Sequence, residues 1–540
     1  MPYRTGGEAV LEALIAQGIE VLFVLPGVQN DAFFNALHDA GGRLRPIVTR
    51  HEQGAAYMAH GYAAATGRPG AYCVVPGPGF LNTTAALSTA YACNAPVLCL
   101  AGQIPSRHIG RGVGLLHELP DQLGIMQRLT KWAARIDAPQ DAARLVAEAF
   151  AHMMSGRPRP VALEVPMDVL ARRAWVGEPE EGIAAPAPEP DPEALTRAAE
   201  LLNSARKPMI FVGGGAQNAS TLVRELAERL DAPVVAGWMG QGVMDGRSPL
   251  SISLPVAHRL WPEVDVALAV GSRFHRVQTD WGLDDKVKVI RIDLDPTEIA
   301  RQSRPEIGLL ADAGETLQAL LPQIEGSARP GWRARIATIR DEVSATIRRE
   351  LAPQVALIDA IRDALPEDGI IVEDLTQINY VSRIAFPVYG PRQYLTSGYQ
   401  GTLGAGYPTA LGAKVACPDR PVVAITGDGG FMYNVQELAT AIQHGINVVA
   451  VVFDDGAYGN VRRMQRQLYG NRIIASDLRN PDFVQLASSF GMAAQQIAGP
   501  DHLAEALADA LARDEPALLA VKVGEMPDPW RHIHLPRVRG

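Results

Sequence analysis

The chain has 540 residues, 47% apolar and 20% charged, with a formal net charge of −9. That composition is ordinary for a globular protein, and the length suits about three domains. The modest negative charge carries no electrostatic footprint for nucleic acid or an anionic membrane surface, so neither is expected as a partner.

No stretch approaches the ~18 uncharged apolar residues of a membrane span. The opening MPYRTGGEAV lacks the apolar run of a signal peptide, so a cytoplasmic location is expected. Four cysteines, Cys73, Cys93, Cys99 and Cys417, form no CxxC pair and no zinc-ligand spacing. Cys73 and Cys99 lie inside apolar runs and read as core.

Strands and helices alternate along the whole chain. In residues 1–175, IEVLFVLPG and GAYCVVPGPG read as strands running into turns, followed by a helix-like FLNTTAALSTAYA and the strand PVLCLAG. Residues 176–195, rich in Pro, Glu and Ala, read as a linker, because prolines lack the donor and fix the backbone. Within 196–325, KPMIFVGGGAQN, APVVAGW, VDVALAVGSRF and KVIRIDLDP supply strands. A second linker is placed at 326–354, where GSARPGW precedes a charged helical stretch and Ala352-Pro353. In 355–540, DGIIVEDLTQ, PVVAITGDGG and NVVAVVFDDG are strands ending in Gly/Asp turns. Continuous apolar strands alternating with helices predict an α/β protein of three doubly wound parallel-sheet domains.

The densest chemical signal is PVVAITGDGGFMYNVQELATAIQHGINVVAVVFDDGAYG, residues 421–459. Asp428 and Asp455 end strands one strand–helix–strand unit apart, which puts both on one edge of one sheet, where open α/β sheets bind ligands. Gly427, Gly429 and Gly430 allow a phosphate to approach backbone amides. Two carboxylates beside a phosphate suit a hard divalent cation such as Mg²⁺. Either turn alone reads as nothing more than a turn, since Asp and Gly favour turns for conformational reasons. The pair at this spacing argues for a site.

This pattern resembles the signature of thiamine-diphosphate-dependent enzymes, in particular the large catalytic subunit of acetolactate synthase. The resemblance implies Mg²⁺ ligands at Asp428, Asp455 and the backbone carbonyl of Ala457, with Tyr458 and Gly459 beside the cofactor. Asp454-Asp455 stands where the family usually has Asn-Asn. TSGYQGTLGAGYPTALG, residues 396–412, is similar to the family's Gly-rich stretch. There Gly401 would offer its carbonyl to the aminopyrimidine and Leu403 would wedge the cofactor into its bent form. In EDLTQ, Gln377 falls where the family contacts the diphosphate.

RHEQGAAYMAHGYAAATGRPG, residues 50–70, resembles the family's other half-site. A Glu at a helix start is ordinarily a favourable dipole partner; by resemblance Glu52 is the catalytic acid that hydrogen-bonds N1′ of the aminopyrimidine. Gly77 and Asn82 match the family's next loop, and Val28 and Gln29 lie in a turn that would face the thiazolium. His117 occupies a Leu-His-Glu run where acetolactate synthases have Phe-Gln-Glu. It reads equally as a substrate or proton-shuttling residue and as a helix-start histidine. Asn460, Val461 and Met464 complete the expected substrate pocket. Asn460 and Met464 stand where acetolactate synthases usually have Met and Trp, and Val461 stands where pyruvate decarboxylases carry an acid.

The resemblance implies a pyrimidine-binding domain, a middle domain and a diphosphate-binding domain, with the active site between two chains of a homodimer or homotetramer. The expected reaction decarboxylates a 2-oxo acid such as pyruvate and joins it to a second carbonyl. A decarboxylase or C–C hydrolase of the same family stays open. A flavin or nicotinamide oxidoreductase is disfavoured, because GGGAQN at 213–218 lacks the spaced dinucleotide fingerprint. FAD, which some acetolactate synthases carry in the middle domain, is not favoured.

Overall fold

The computed structural model describes residues 2–540. Three six-stranded sheets, every strand pair in them parallel, follow one another along the chain. The first is built from Arg45–Val48, Val21–Val24, Gly70–Val74, Val97–Gln103, Val161–Pro166 and Trp132–Arg135 in spatial order. The last is built from Tyr394–Leu395, Ile370–Glu373, Val422–Gly427, Val448–Asp454, Ala517–Lys522 and Ala493–Ile497. Renumbered within each domain, both have the order 2-1-3-4-6-5. The middle sheet, Ser251–Ile252, Val234–Ala236, Pro208–Val212, Val266–Val270, Lys288–Asp293 and Ile307–Leu310, has the order 3-2-1-4-5-6. The central strands are buried along their whole length, which is why they read as unbroken apolar runs.

The two expected linkers differ. Residues 176–191 carry no regular structure, and a helix begins at Pro192, capped by the Asp191 side chain. Most of 326–354 is instead a 21-residue helix, Pro330–Glu350. Its Trp332, Ile336, Ile339, Val343 and Ile347 fall on one face and are buried. That face joins apolar side chains of the middle and last domains into one continuous core. Each such side chain contributes about 1.5–3 kcal/mol by burial, so this segment acts as a structural wall rather than a tether.

A second continuous core joins the first and last domains. Here helix Glu52–Thr66 crosses helix Gly406–Ala416 at backbone contact distance. A Cβ at Gly61 would strike the carbonyl oxygen of Thr409, and one at Gly412 would strike the carbonyl oxygen of Met58. Both glycines are helical with ordinary φ, so small size rather than conformational freedom is required. Among the described residues no helix is long and apolar enough to cross a membrane. All four cysteines are free; Cys73, Cys93 and Cys99 are buried core, as their sequence context suggests for Cys73 and Cys99.

The crossing yields a prediction. In an open helix, Gly→Ala stabilises by up to about 1 kcal/mol. Overpacking costs about 1–3 kcal/mol and should win at this site. Gly61→Ala is expected to lower the midpoint of urea unfolding. Gly177→Ala, where a Cβ meets nothing within 4 Å, should leave it unchanged. A stabilised Gly61→Ala protein would refute the close approach.

Candidate active site

Asp428 follows the last residue of strand Val422–Gly427, and Asp454 ends the neighbouring strand Val448–Asp454. The ladder pairs Gly427 with Phe453, so the two turns emerge side by side at the carboxyl edge of the sheet. Asp428 Oδ2 accepts the Gly456 N–H at 2.9 Å and the Asn480 amide at 2.5 Å. Asn480 Nδ2 also donates to Asp454 Oδ1 at 2.7 Å. The additional acid in the Asp454-Asp455 pair is therefore tied sideways by Asn480, in addition to the Gly456 N–H at 3.2 Å. Asp455 Oδ2 instead accepts Gln377 Nε2 at 2.6 Å.

Burial, reinforced by the like charge of Asp455, pushes the Asp428 carboxyl up to about 7. Burial likewise raises Asp455. Among the described residues no Lys, Arg or His forms an ion pair with Asp428, Asp454 or Asp455. Buried carboxylates side by side without a cation are costly unless a cation is supplied. A hard divalent ion with oxygen ligands fits that donor set. The carbonyl of Ala457 lies in the same turn, which is held by the Tyr458 N–H to Ser476 at 2.8 Å and the Leu478 N–H to Gly456 at 2.7 Å.

Gln377 opens helix Gln377–Ala385 and is buried. Besides Asp455 it engages the Gly524 carbonyl, while its own carbonyl accepts from Arg463 at 3.1 Å and from the Met526 N–H at 3.0 Å. A small cavity lined by Gln377, Asp455, Ala457, Gly459, Arg462, Arg463 and Glu525 opens here, so guanidinium and carboxylate groups both border it. Gly429 leaves room for the ring of Tyr458, and Gly459 for the Asp455 carboxylate.

The Gly-rich loop is fastened by Asp374, a residue the sequence reading missed. Its Oδ2 accepts the Gly404 N–H at 2.9 Å and the Gly406 N–H at 3.3 Å, and burial pushes its carboxyl up to about 6. Gly401 adopts φ +57° and Leu403 is half-buried in the turn that follows. Asn480, Glu437 and Arg463 were missed as well. Glu437 lies inside the 421–459 stretch and Arg463 four residues beyond it, both buried, while Asn480 is half-buried; the signal is the partner each meets, visible only in the fold.

In the first domain Glu52 is the first residue of its helix, with side-chain exposure of 13%. Asn82 donates to Glu52 Oε2 at 2.9 Å, while Oε1 has no hydrogen-bond partner among the described residues. The helix expected over FLNTTAALSTAYA is broken at Asn82-Thr83, and the break lets Asn82 reach Glu52. Across the domain boundary the buried Glu437 carboxylate accepts the N–H groups of Arg50 at 3.2 Å and His51 at 3.0 Å, which pins the turn leading into Glu52. Gly77 has φ +60° and packs on the backbone of His117, its N–H bound to Gln122.

His117 is not a helix-start residue: it lies in a turn with φ +68°, and the next helix begins at Gln122. Its Nδ1 is buried without a partner, and Gln29 fastens the same turn through the Leu116 carbonyl at 3.3 Å. Val28 is 59% exposed beside it. Asn460, Val461 and Met464 lie on helix Gly459–Leu468, Val461 exposed and the others half-buried. The structure thus gathers the predicted residues into two clusters, one around Glu52 and one around Asp428. Among the described residues no hydrogen bond or ion pair within the chain joins Glu52 to Asp428, Asp455 or Gly401.

Residues 4–125, 195–320 and 374–521 match, in turn, the N-terminal TPP-binding, central and C-terminal TPP-binding domains of thiamine pyrophosphate enzymes. The chain belongs to the thiamine pyrophosphate enzyme family. It is 36% identical to a probable 2-ketoarginine decarboxylase of Pseudomonas aeruginosa, over 92% of this chain and 90% of that one. It is 34% identical to a probable acetolactate synthase large subunit of Methanocaldococcus jannaschii, over 96% and 92% of the two chains. Acetolactate synthase isozyme 1 large subunit of Escherichia coli is 30% identical over 96% and 94%. The protein is therefore a thiamine-diphosphate-dependent enzyme of acetolactate-synthase-like type. Its middle-domain glycines have a packing role: Gly213 and Gly215 abut Gly271, where any Cβ would collide.

The Asn480 bridge sets an expectation for cation binding. Supporting groups behind metal ligands typically contribute about 10–100-fold in affinity. In calorimetric titrations with thiamine diphosphate present, Asn480→Leu is expected to weaken Mn²⁺ binding by about that factor. Unchanged affinity would show that the bridge does not organise the carboxylates.

Proposed function

We propose that this enzyme decarboxylates a 2-oxo acid and joins the remaining fragment to a second carbonyl, using thiamine diphosphate and Mg²⁺. The observation that carries the reading is the pairing of the buried Asp428 with the half-buried Asp455 at the sheet edge, both raised by burial and without a cationic partner among the described residues, beside a small opening. Thiamine diphosphate, when bound, supplies the electron sink that loss of CO₂ from a 2-oxo acid needs.

The chain's own groups then have separable tasks. Asp428, Asp455 and the Ala457 carbonyl hold the cation. Gln377 and the amides of Gly429 and Gly430 face the diphosphate. Gly401 and Leu403 orient the pyrimidine. Glu52, steadied at Oε2 by Asn82, uses Oε1 to hold a proton at the pyrimidine N1′ nitrogen. His117, Val28 and Gln29 line the substrate side with Asn460, Val461 and Met464.

That no hydrogen bond or ion pair within the chain joins the Glu52 and Asp428 clusters among the described residues supports completion of each site by a second copy, in a homodimer or a tetramer of dimers. Exposed apolar residues accompany both halves: Val28 and Leu116 near Glu52, and Tyr399 and Tyr433 near the Gly-rich loop.

A second reading is supported by the similarity to a probable 2-ketoarginine decarboxylase: release of the decarboxylated fragment as an aldehyde, without joining it to an acceptor.

The test is turnover of a 2-oxo acid panel that includes pyruvate and 2-ketoarginine, with products identified by mass. Turnover is expected to require both thiamine diphosphate and Mg²⁺. Glu52→Gln should lower kcat about 10²–10⁴-fold, the range for a lost general acid or base. A joined hydroxy-oxo acid supports the first reading and an aldehyde the second. Turnover indifferent to thiamine diphosphate would overturn both.

A further inference from the structure

The last seventeen residues, 524–540, form a strap from the diphosphate-side sheet to the middle domain. Its far end is locked. Arg539, with side-chain exposure of 3%, donates to the carbonyls of Trp261 and Val264 and pairs with Asp284 at 2.7 Å. Arg276 donates to the Ile533 carbonyl at 2.7 Å, and His258 meets the Pro536 carbonyl at 2.8 Å. Its near end crosses helix Gly459–Leu468, where Arg463 donates to the Met526 carbonyl and Gln467 to Asp528.

Between these anchors stands Trp530, its ring 4.8 Å from Tyr380 and 4.7 Å from His534. Its Nε1–H donates to Asn460 Oδ1 at 2.8 Å. An indole is a donor only, so it selects one orientation of the Asn460 amide. The amide oxygen faces Trp530, and the NH₂ end stays free: Asn460 has no other hydrogen bond among the described residues.

We infer that Trp530 is a positioning residue that fixes the Asn460 amide with its NH₂ end free, and that this NH₂ group donates to a carbonyl or carboxylate oxygen of the substrate. The inference rests on the reading of Asn460 as a pocket residue. A substrate group that meets the free NH₂ end must be an acceptor, which suits an oxygen and not the N–H groups at the cationic end of a guanidino acid. The locked Arg539 end holds Trp530 in place, so the orientation is set by the middle domain as well as by the site.

The test uses holoenzyme with thiamine diphosphate, Mg²⁺ and the best 2-oxo acid of the panel. Trp530→Phe keeps an aromatic ring against Tyr380 and His534 while removing the donor together with part of the indole surface. It is expected to raise KM about tenfold, as for one lost hydrogen bond to a charged group, with kcat within about twofold. Asn460→Ala should do the same, and the double variant should be no worse than either single one. Unchanged KM in Trp530→Phe, or effects that multiply in the double variant, would overturn the inference while leaving the reaction intact. A wild-type holoenzyme that turns over no 2-oxo acid would overturn the proposed function and this inference together. Thermal melting of each variant separates a change in KM from loss of fold.

Discussion

The close crossing of the Glu52 and Gly406 helices is the constraint on which the arrangement depends. Two glycines let backbone meet backbone, which fuses the first and last domains into one apolar core. Interiors packed to this density transmit position and tolerate little added volume. The helix that begins with Glu52 and the helix that follows the Gly-rich loop are thereby held in a single register. Glu437 reinforces it from the same side, accepting the two N–H groups that precede Glu52. Each half-site is thus braced by the other domain of its own chain.

The outer sheets share a strand order, yet their edges carry different chemistry. One presents a single carboxylate at a helix start, with one oxygen held and one free. The other presents one buried and two half-buried carboxylates that accept from Asn480, Gly456 and Gln377. A shared fold does not by itself specify function. What differs is which side chains the strand ends deliver, and how the surrounding amides constrain them. The Asp454-Asp455 sequence illustrates this. It looks like an excess of negative charge, but the first acid is engaged by Asn480 and Gly456.

The middle domain has the strand order common in dinucleotide-binding folds. Two glycines of its triplet, Gly213 and Gly215, nevertheless serve close packing against Gly271. Its connection to the site runs through the helix Pro330–Glu350 and the C-terminal strap, which read as a linker and a tail in the sequence. Both are ordered by burial: an apolar stripe in the first, and the Arg539 guanidinium with its carbonyl partners in the second.

The sequence by itself determined the α/β class, the family and the two clusters of candidate residues. Apolar strands, Gly/Asp turns and their spacing are local or nearly local patterns, and the turns carrying Asp428 and Asp455 are close enough along the chain to be read as one unit. Only the tertiary structure decided how those residues are supported. Asp374, Glu437, Asn480 and Trp530 act on partners from 26 to 387 positions away. A buried polar residue has no periodicity to mark it; its meaning lies in the donor or acceptor it meets after the chain has folded. For the same reason the turn conformation of His117, which excludes a helix-start position, was not legible, and the stretch 326–354 read as a boundary although its apolar stripe closes a core.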